Sequence, residues 1–483
     1  MQDSSPIEDH GGVPPARKLS RPTLFFYGFG AVAYGVKDFA FSSFLLLFYN
    51  QVIGLPASKV GFVIMLALLL DAFVDPAVGV LSDRTRTRWG RRHPWMYASA
   101  VPILVTWLLL WNPPQWSETA MLAWLFVMSV LVRSAVSSYE VPSQALSPEL
   151  TSDYDERTRV MAYRYLFGWG GGLAMLIASY GYFLAPGPGQ DSGLLNRESY
   201  IGFAIAGGLS MAVAILLSAA GTHREIARLP DPGPEEHSLG GSLVELAQTL
   251  RNGAFAILML AGLFYFTAQG ISFALSNYLY TYVWLFHGAD YTWVGVVLFV
   301  GAAIAFFVAP RVARRIGKPT AAFAFMLAAA ILLASPYALR LIGLFPPPSS
   351  PVMLPLLFGI FTINSACGIS STILFASMMA DVSEDSEART GRRSEGVFFA
   401  GAFFVQKCTS GIGIFGAGLI LSLVGFPEDA VQGAVAEATL DRLTFVFALV
   451  YFGLGLVAAL LYSRFPFGKA EHQARLARLS AGA

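Results

Sequence analysis

The feature that most limits how this chain can fold is the recurrence of apolar stretches long enough to cross a bilayer, divided by short polar loops. Roughly 20 apolar residues in helical form span the hydrocarbon core, and tilted helices run longer. Twelve stretches meet that length, at about 25–50, 57–82, 94–111, 118–146, 160–185 and 199–219, then about 253–285, 291–312, 320–343, 352–380, 395–424 and 442–463. Lipid offers no partner for backbone N–H and C=O groups, so such stretches imply α-helices. The expected fold class is an all-α integral membrane protein. Composition agrees, because 55% of the 483 residues are hydrophobic and 13% are charged. A formal net charge of +1 gives no footing for a nucleic-acid surface. Cys367 and Cys408 lie within apolar stretches without metal-ligand spacing and read as packing residues. No cofactor motif and no constellation for enzyme catalysis stands out. The start of the chain lacks the apolar core and cleavage site of a signal peptide, so the first helix is expected to be retained.

The stretches fall into six plus six. This divides the chain into a polar segment 1–24, a bundle 25–221, an interval 222–252, a second bundle 253–465 and a tail 466–483. The interval mixes charge with Pro and Gly, and Leu243, Leu246 and Leu250 recur at helical spacing, so a linker with an amphipathic surface helix is expected. Lys and Arg crowd the N-terminal segment and the even-numbered loops. By the positive-inside rule both termini and the interval are cytoplasmic. LSDRTRTRWGRR (Leu81–Arg92) follows the second stretch and VAPRVARRIGK (Val308–Lys318) the eighth, which is the mark of an internal repeat. In each, a Gly-containing turn among arginines lets two helix ends lie close.

Charges inside the membrane are costly and are functional candidates by default. In DAFVDP, Asp71 and Asp75 lie four positions apart on one helical face. Two carboxylates so placed repel unless a cation neutralises them, which suits a carrier of protons or of Na⁺. Pro76 also frees a backbone carbonyl nearby. Lys37 and Asp38 are sequence neighbours that do not share a face, so each needs other partners. Glu140 in SSYEVPSQAL and Arg164 in MAYRYLF can together hold hydroxyls or form a gate ion pair. Lys407 in FFVQKCTSG is placed to neutralise Asp71 and Asp75 in the absence of a bound cation and to be displaced when one arrives. Asp83, Arg88 and Arg92 in one loop, and Glu384 and Arg392 in the polar run Asp381–Gly396, are candidate gate charges, with Asp83 also suited to a pair with an arginine of its own loop. The glycines of GWGGG (Gly168–Gly172) and Gly270 allow close approach of helices.

KDFAF at Lys37, DAFVDP at Asp71, LSDRTRTRWGRRHPW (Leu81–Trp95), YEVP at Tyr139, YR at Tyr163 and QK in the eleventh stretch occur in the right helices to resemble the glycoside-pentoside-hexuronide:cation symporter family. That family belongs to the major facilitator superfamily, and the resemblance runs from about Phe25 to Phe465. It implies twelve helices in two six-helix halves and cation-coupled import of a sugar, glycoside or uronide by alternating access. It further implies that Asp71 and Asp75 bind the coupling ion, Na⁺ or H⁺ with Li⁺ a further candidate, beside Glu140 and Thr409. Asp38, Glu140 and Arg164 would contact the solute, with Lys37 and Lys407 as pocket lysines. Glu140 stands where the family often has Asp, and Gln144 where sugar-transporting members can carry an aromatic ring. The same branch includes sodium-dependent lysolipid transporters, so an amphiphile carrier and an exporter of another small molecule are the alternatives. The expected partners are a small hydroxyl-rich solute, a monovalent cation and the bilayer, with the protein working as a monomer in a bacterial inner membrane.

Overall fold

The computed structural model describes residues 18–151, 154–187, 193–228, 253–390 and 395–466. The expected surface helix around Leu243, the gate residue Arg392 and most of the tail lie outside the described residues, as does the side chain of Glu384.

The described chain is helical throughout its long elements. The first, α1 (Arg21–Phe29), is capped by the Ser20 hydroxyl and carries Pro22 in its first turn, where a proline costs no intrahelical hydrogen bond. It leads into α2 (Val32–Ser43), α3 (Leu45–Leu47) and a π-helical turn at Phe48–Val52, with a 47° bend between Arg21–Ser43 and Leu45–Val52. Then follow α4 (Ala57–Arg84), α5 (His93–Trp111), α6 (Glu118–Leu150), α7 (Tyr154–Ala178) and α8 (Ser199–Thr222). After the interval come α9 (Gly253–Tyr278), α10 (Asp290–Ile316), α11 (Lys318–Leu341), α12 (Met353–Thr390), α13 (Glu395–Leu423) and α14 (Glu437–Ser463).

Among the described residues, ten helices are long and apolar enough to cross a membrane, and the bent pair makes eleven. The expected fifth stretch is α7. It has the length, but Arg159, Arg164 and its run of glycines dilute its apolar character. The protein is an all-α, multi-spanning membrane protein. Its outer faces suit lipid: Phe306, Tyr182, Leu423 and Val101 are all exposed.

The packed helix pairs fall into two sets. Within α1–α8 the main pairs are α5–α6, α5–α8, α4–α6 and α2–α7, and within α9–α14 they are α11–α14, α9–α13, α10–α12 and α11–α12. The sets meet chiefly where α4 lies along α13, and more lightly where α7 meets α10 and α2 meets α9. Small residues set these distances. A side chain on Gly35 of α2 would run into the Gly168 carbonyl of α7, and a Cβ on Gly61 of α4 would sit 3.0 Å from the Ile414 carbonyl of α13. The expected use of GWGGG and Gly270 as points of close approach is thus seen in the backbone; a Cβ on Gly270 would stand 2.8 Å from the Ser410 carbonyl.

The two Arg-rich turns share one backbone device. Gly90 before α5 has φ +72° and Gly317 before α11 has φ +87°, conformations that residues with a Cβ rarely adopt.

At the far end, where α3 hands over to α4, the sets are tied together. Tyr180 donates to Asn277 Oδ1 at 2.7 Å, Asn277 donates to the Ser43 carbonyl at 2.6 Å, and Tyr278 donates to Asn50 Oδ1 at 2.8 Å. Tyr282 reaches Gln51 Oε1 at 3.1 Å, and Gln51 donates to the Pro427 carbonyl at 2.8 Å. Three π-helical turns lie here, at Phe48–Val52, Ser179–Phe183 and Leu279–Val283. At the opposite end, the described pairs Asp83–Arg92, Arg91–Glu149, Arg92–Glu149 and Lys318–Asp381 each stay within one set. Among the described residues, side-chain hydrogen bonds thus latch the sets together at the end remote from the Arg-rich turns.

Candidate functional site

The charged residues that interrupt the apolar stretches converge on one cleft between α2, α4, α6 and α13. Its lining includes Tyr34 and Lys37 from α2, Asp71 from α4, Arg133, Ser137 and Glu140 from α6, and Lys407 from α13. Helical periodicity explains the convergence. Asp71 and Asp75 are four apart, and Arg133, Ser137 and Glu140 are spaced at four and three, so each trio or pair shares a face.

The acidic pair is fully engaged. Arg133 Nη2 donates to Asp71 Oδ2 at 2.7 Å, and both side chains are buried, at 4% and 3% exposure. Lys407 donates to the same Oδ2 at 2.9 Å and also grips Asp75 Oδ2. The Ser137 hydroxyl donates to Asp75 Oδ1 at 2.6 Å and passes 3.3 Å from Asp71 Oδ1. An unpaired carboxylate at this depth would cost several kcal/mol, on the order of the roughly 3–5 kcal/mol lost when a buried pair is broken. The bases offset that cost.

Beside this cluster, Arg164 of α7 pairs with Glu140 Oε1 at 2.5 Å and donates to Ser143 Oγ at 3.0 Å. Gln144 also donates to Glu140 Oε1, at 2.9 Å. Arg164 Nη2 is engaged in that ion pair, whereas Glu140 Oε2 is buried with no hydrogen-bond partner among the described residues. A buried carboxylate oxygen left open matches a donor such as a hydroxyl, which can give it one bond.

Lys37 is buried, 3.6 Å from Asp38 Oδ1 and 4.4 Å from the centre of the Tyr34 ring. The separation from Asp38 exceeds a hydrogen bond, as expected for neighbours on different faces. Asp38 itself is half exposed.

Two expected residues stand apart. Thr409 is buried, but its hydroxyl donates to the carbonyls of Val405 and Gln406 in its own helix, at 2.7 and 3.2 Å. Two positions from Lys407 puts it on a different face of α13. Arg88 is exposed and lies over the Trp89 ring, whereas Asp83 and Arg92 form a 2.5 Å pair. The latter is the pairing within its own loop for which Asp83 was suited.

Arg133 was absent from the expected set. Its signal was plain: a lone arginine in LFVMSVLVRSAVSS, as deep in an apolar stretch as Glu140. The rule that marks intramembrane charge as functional applies to it equally.

The free space of the cleft, mouth included, is about 200 Å³, below the ~300 Å³ at which small-molecule pockets begin. A solute of sugar size enters only if the sets move apart.

Residues 26–469 match the family of MFS/sugar transport proteins. The chain belongs to that family. It is a major facilitator transport protein and not an enzyme. It is 26% identical over 441 residues to the isoprimeverose transporter of Lactiplantibacillus pentosus, covering 89% of this chain and 87% of that one. An uncharacterized symporter of Synechocystis is 38% identical, but over 168 residues, 34% of this chain and 31% of the relative. Among solved structures, the inward-open xylose transporter XylE of E. coli aligns with a TM-score of 0.62 at 15% identity, over 92% of this chain and 96% of that one. That likeness establishes the fold alone.

Proposed function

We propose that this protein is a cation-coupled symporter of the glycoside-pentoside-hexuronide:cation type. In this reading it imports a sugar, glycoside or uronide by alternating access between two six-helix halves. All twelve helical stretches span the inner membrane of a bacterium, α7 included, and the termini and the interval 222–252 are cytoplasmic. Asp71 and Asp75 take the coupling ion, Na⁺ or H⁺. Glu140, Arg164 and Asp38 contact the solute.

The observation that carries this reading is the grip of Lys407 on Asp71 and Asp75, because it joins α13 of one set to α4 of the other. An ammonium that fills the acidic site from across the interface competes with any monovalent cation for the same oxygens. Occupancy then biases the equilibrium between two arrangements of the halves, which is the requirement for coupling. The sequence likeness to an isoprimeverose transporter favours a glycoside cargo, and the open Glu140 Oε2 favours a hydroxyl-bearing one. Asp83 and Arg92, on this view, belong to a cytoplasmic gate.

The test is uptake in proteoliposomes with imposed Na⁺ or H⁺ gradients, screening neutral glycosides, uronides and lysolipids. Asp75→Asn keeps the side-chain volume and removes the charge, so uphill accumulation is lost while downhill flux persists. Accumulation unchanged in Asp75→Asn refutes the coupling role of the pair. Gradient-driven uptake confined to lysolipids replaces the sugar reading by the amphiphile one.

A further inference from the structure

The charges of the cleft sort themselves into pairs. Glu140 is held by Arg164, and Lys37 has Asp38 beside it. That leaves Asp71 and Asp75 facing Arg133 and Lys407, two acids against two bases. The two bases are not equivalent. Arg133 sits on α6, which packs on α4 within the first set, and its guanidinium also lies 5.6 Å from the centre of the Phe41 ring of α2 in that same set. Lys407 comes from the other set. When the halves rock, Arg133 travels with Asp71, whereas Lys407 is the group that must let go. Arginine, moreover, keeps its charge under any condition a protein meets, and a flexible ammonium is the more exchangeable partner.

We propose that Arg133 is a built-in cation that permanently holds Asp71, so that the acidic pair offers a single negative charge and takes one monovalent ion per cycle. The inference rests on the proposed coupling role of Asp71 and Asp75. With Lys407 released, Asp71, Asp75 and Arg133 sum to one negative charge, and one ion restores neutrality. Arg133 also occupies Asp71 Oδ2, which a hard cation would otherwise use as a ligand. The ion therefore seats on the Asp75 side, where the side chain is 29% exposed, with Asp71 Oδ1 and the Ser137 hydroxyl within reach of the same space. Without Arg133 the pair would carry two negative charges, and the ion would no longer need Lys407 to leave.

Arg133 is thus a positioning residue for the ion rather than a ligand of it. The experiment is ion counting on purified full-length protein, with ²²Na⁺ at saturation and with protons taken up in weakly buffered solution. Each count is the difference between the wild-type chain and Asp75→Asn. The expected wild-type result is one ion per chain. Arg133→Gln binds that ion roughly tenfold or more tightly, since a like charge a few ångströms away has gone, and it takes up Na⁺ even when Lys407 stays protected from an amine-reactive label. Arg133→Lys retains the charge and returns affinity toward the wild-type value, which a merely structural role would not predict. Two ions per wild-type chain overturn the proposal and need no variant to fold. So does an Arg133→Gln protein whose affinity and count match the wild type while Asp75→Asn abolishes binding. If wild type and Asp75→Asn take up ions identically, the coupling role of the acidic pair fails, and this inference falls with it.

Discussion

Replacing Lys407 with Met removes the ammonium while keeping an unbranched side chain of similar length, and its consequences can be followed atom by atom. Asp71 would retain Arg133 at 2.7 Å, but Asp75 would be left with the Ser137 hydroxyl as its described partner. Breaking a buried ion pair costs about 3–5 kcal/mol. Lys407 and Asp75 are 21% and 29% exposed, so water recovers part of that. A loss of about 2–3 kcal/mol is the reasonable range for this half-open site, well above the ~1 kcal/mol ceiling for pairs on an open surface.

That energy is held in a contact between the two sets, so its removal both weakens the fold and loosens the latched arrangement. A shift of about 2–3 kcal/mol corresponds to roughly 30-fold to 150-fold in the conformational equilibrium. A monovalent cation is able to fill the vacated position and return much of the stability. The assay is thermal unfolding of purified Lys407→Met and wild-type protein in NaCl, in LiCl and in choline chloride, across pH 6–8 to include the proton. In choline at high pH the variant melts below the wild type, and Na⁺, Li⁺ or acid narrows the gap. A variant that melts with the wild type in choline, or whose deficit is the same under every ion condition, would refute competition between lysine and ion.

Four further outcomes follow from the same geometry. Arg164→Met leaves Glu140 buried without its guanidinium, and solute binding should weaken by tenfold or more with little change in ion binding, as read by fluorescence titration with the solute that the uptake screen identifies. Gly35→Ala places a Cβ against the Gly168 carbonyl and should destabilise the α2–α7 contact by about 1–3 kcal/mol, seen as a lower melting temperature. Asn277→Ala strips partners from Tyr180 and from the Ser43 carbonyl, a cost of about 1–3 kcal/mol in the latched arrangement; spin labels across the Asn50 end should then report wider separations. Single cysteines at Ser5, Ser238 and Ser480, in a chain with Cys367 and Cys408 replaced, should resist an impermeant thiol reagent applied to intact cells, and efficient labelling from outside would reverse the topology.

Helix positions were legible because one signal, apolar length, dictates them. The stretch expected at about 199–219 is α8 at Ser199–Thr222, and that at about 94–111 is α5 at His93–Trp111. The same rule understates α7, where Arg164 and the glycines that let α2 approach lower its apolar content; function and packing there run against the signal that reveals a span. The latch at the Asn50 end was not legible. It is built from Tyr, Asn and Gln, whose presence near the ends of apolar helices is ordinary, and only the fold shows that Tyr180, Asn277 and Ser43 meet across the two sets.

The site teaches a sharper point about charge. Reading the acids alone, Asp71 and Asp75 look like a doubly negative site in want of cations, and Lys407 looks like its one internal competitor. Arg133 changes that balance, because its 2.7 Å contact with Asp71 lies inside one set of helices whereas the contacts of Lys407 cross between sets. Sequence spacing can put Arg133 on the face of α6 shared with Ser137 and Glu140, but it cannot say which acid that face meets. The distinction between a charge that moves with the acid and one that must part from it exists only in the packing. On the proposed symport reading it is also the distinction on which coupling would depend: a countercharge fixed to the same half neutralises without informing, and one reaching across the interface would tie occupancy of the acids to the arrangement of the halves.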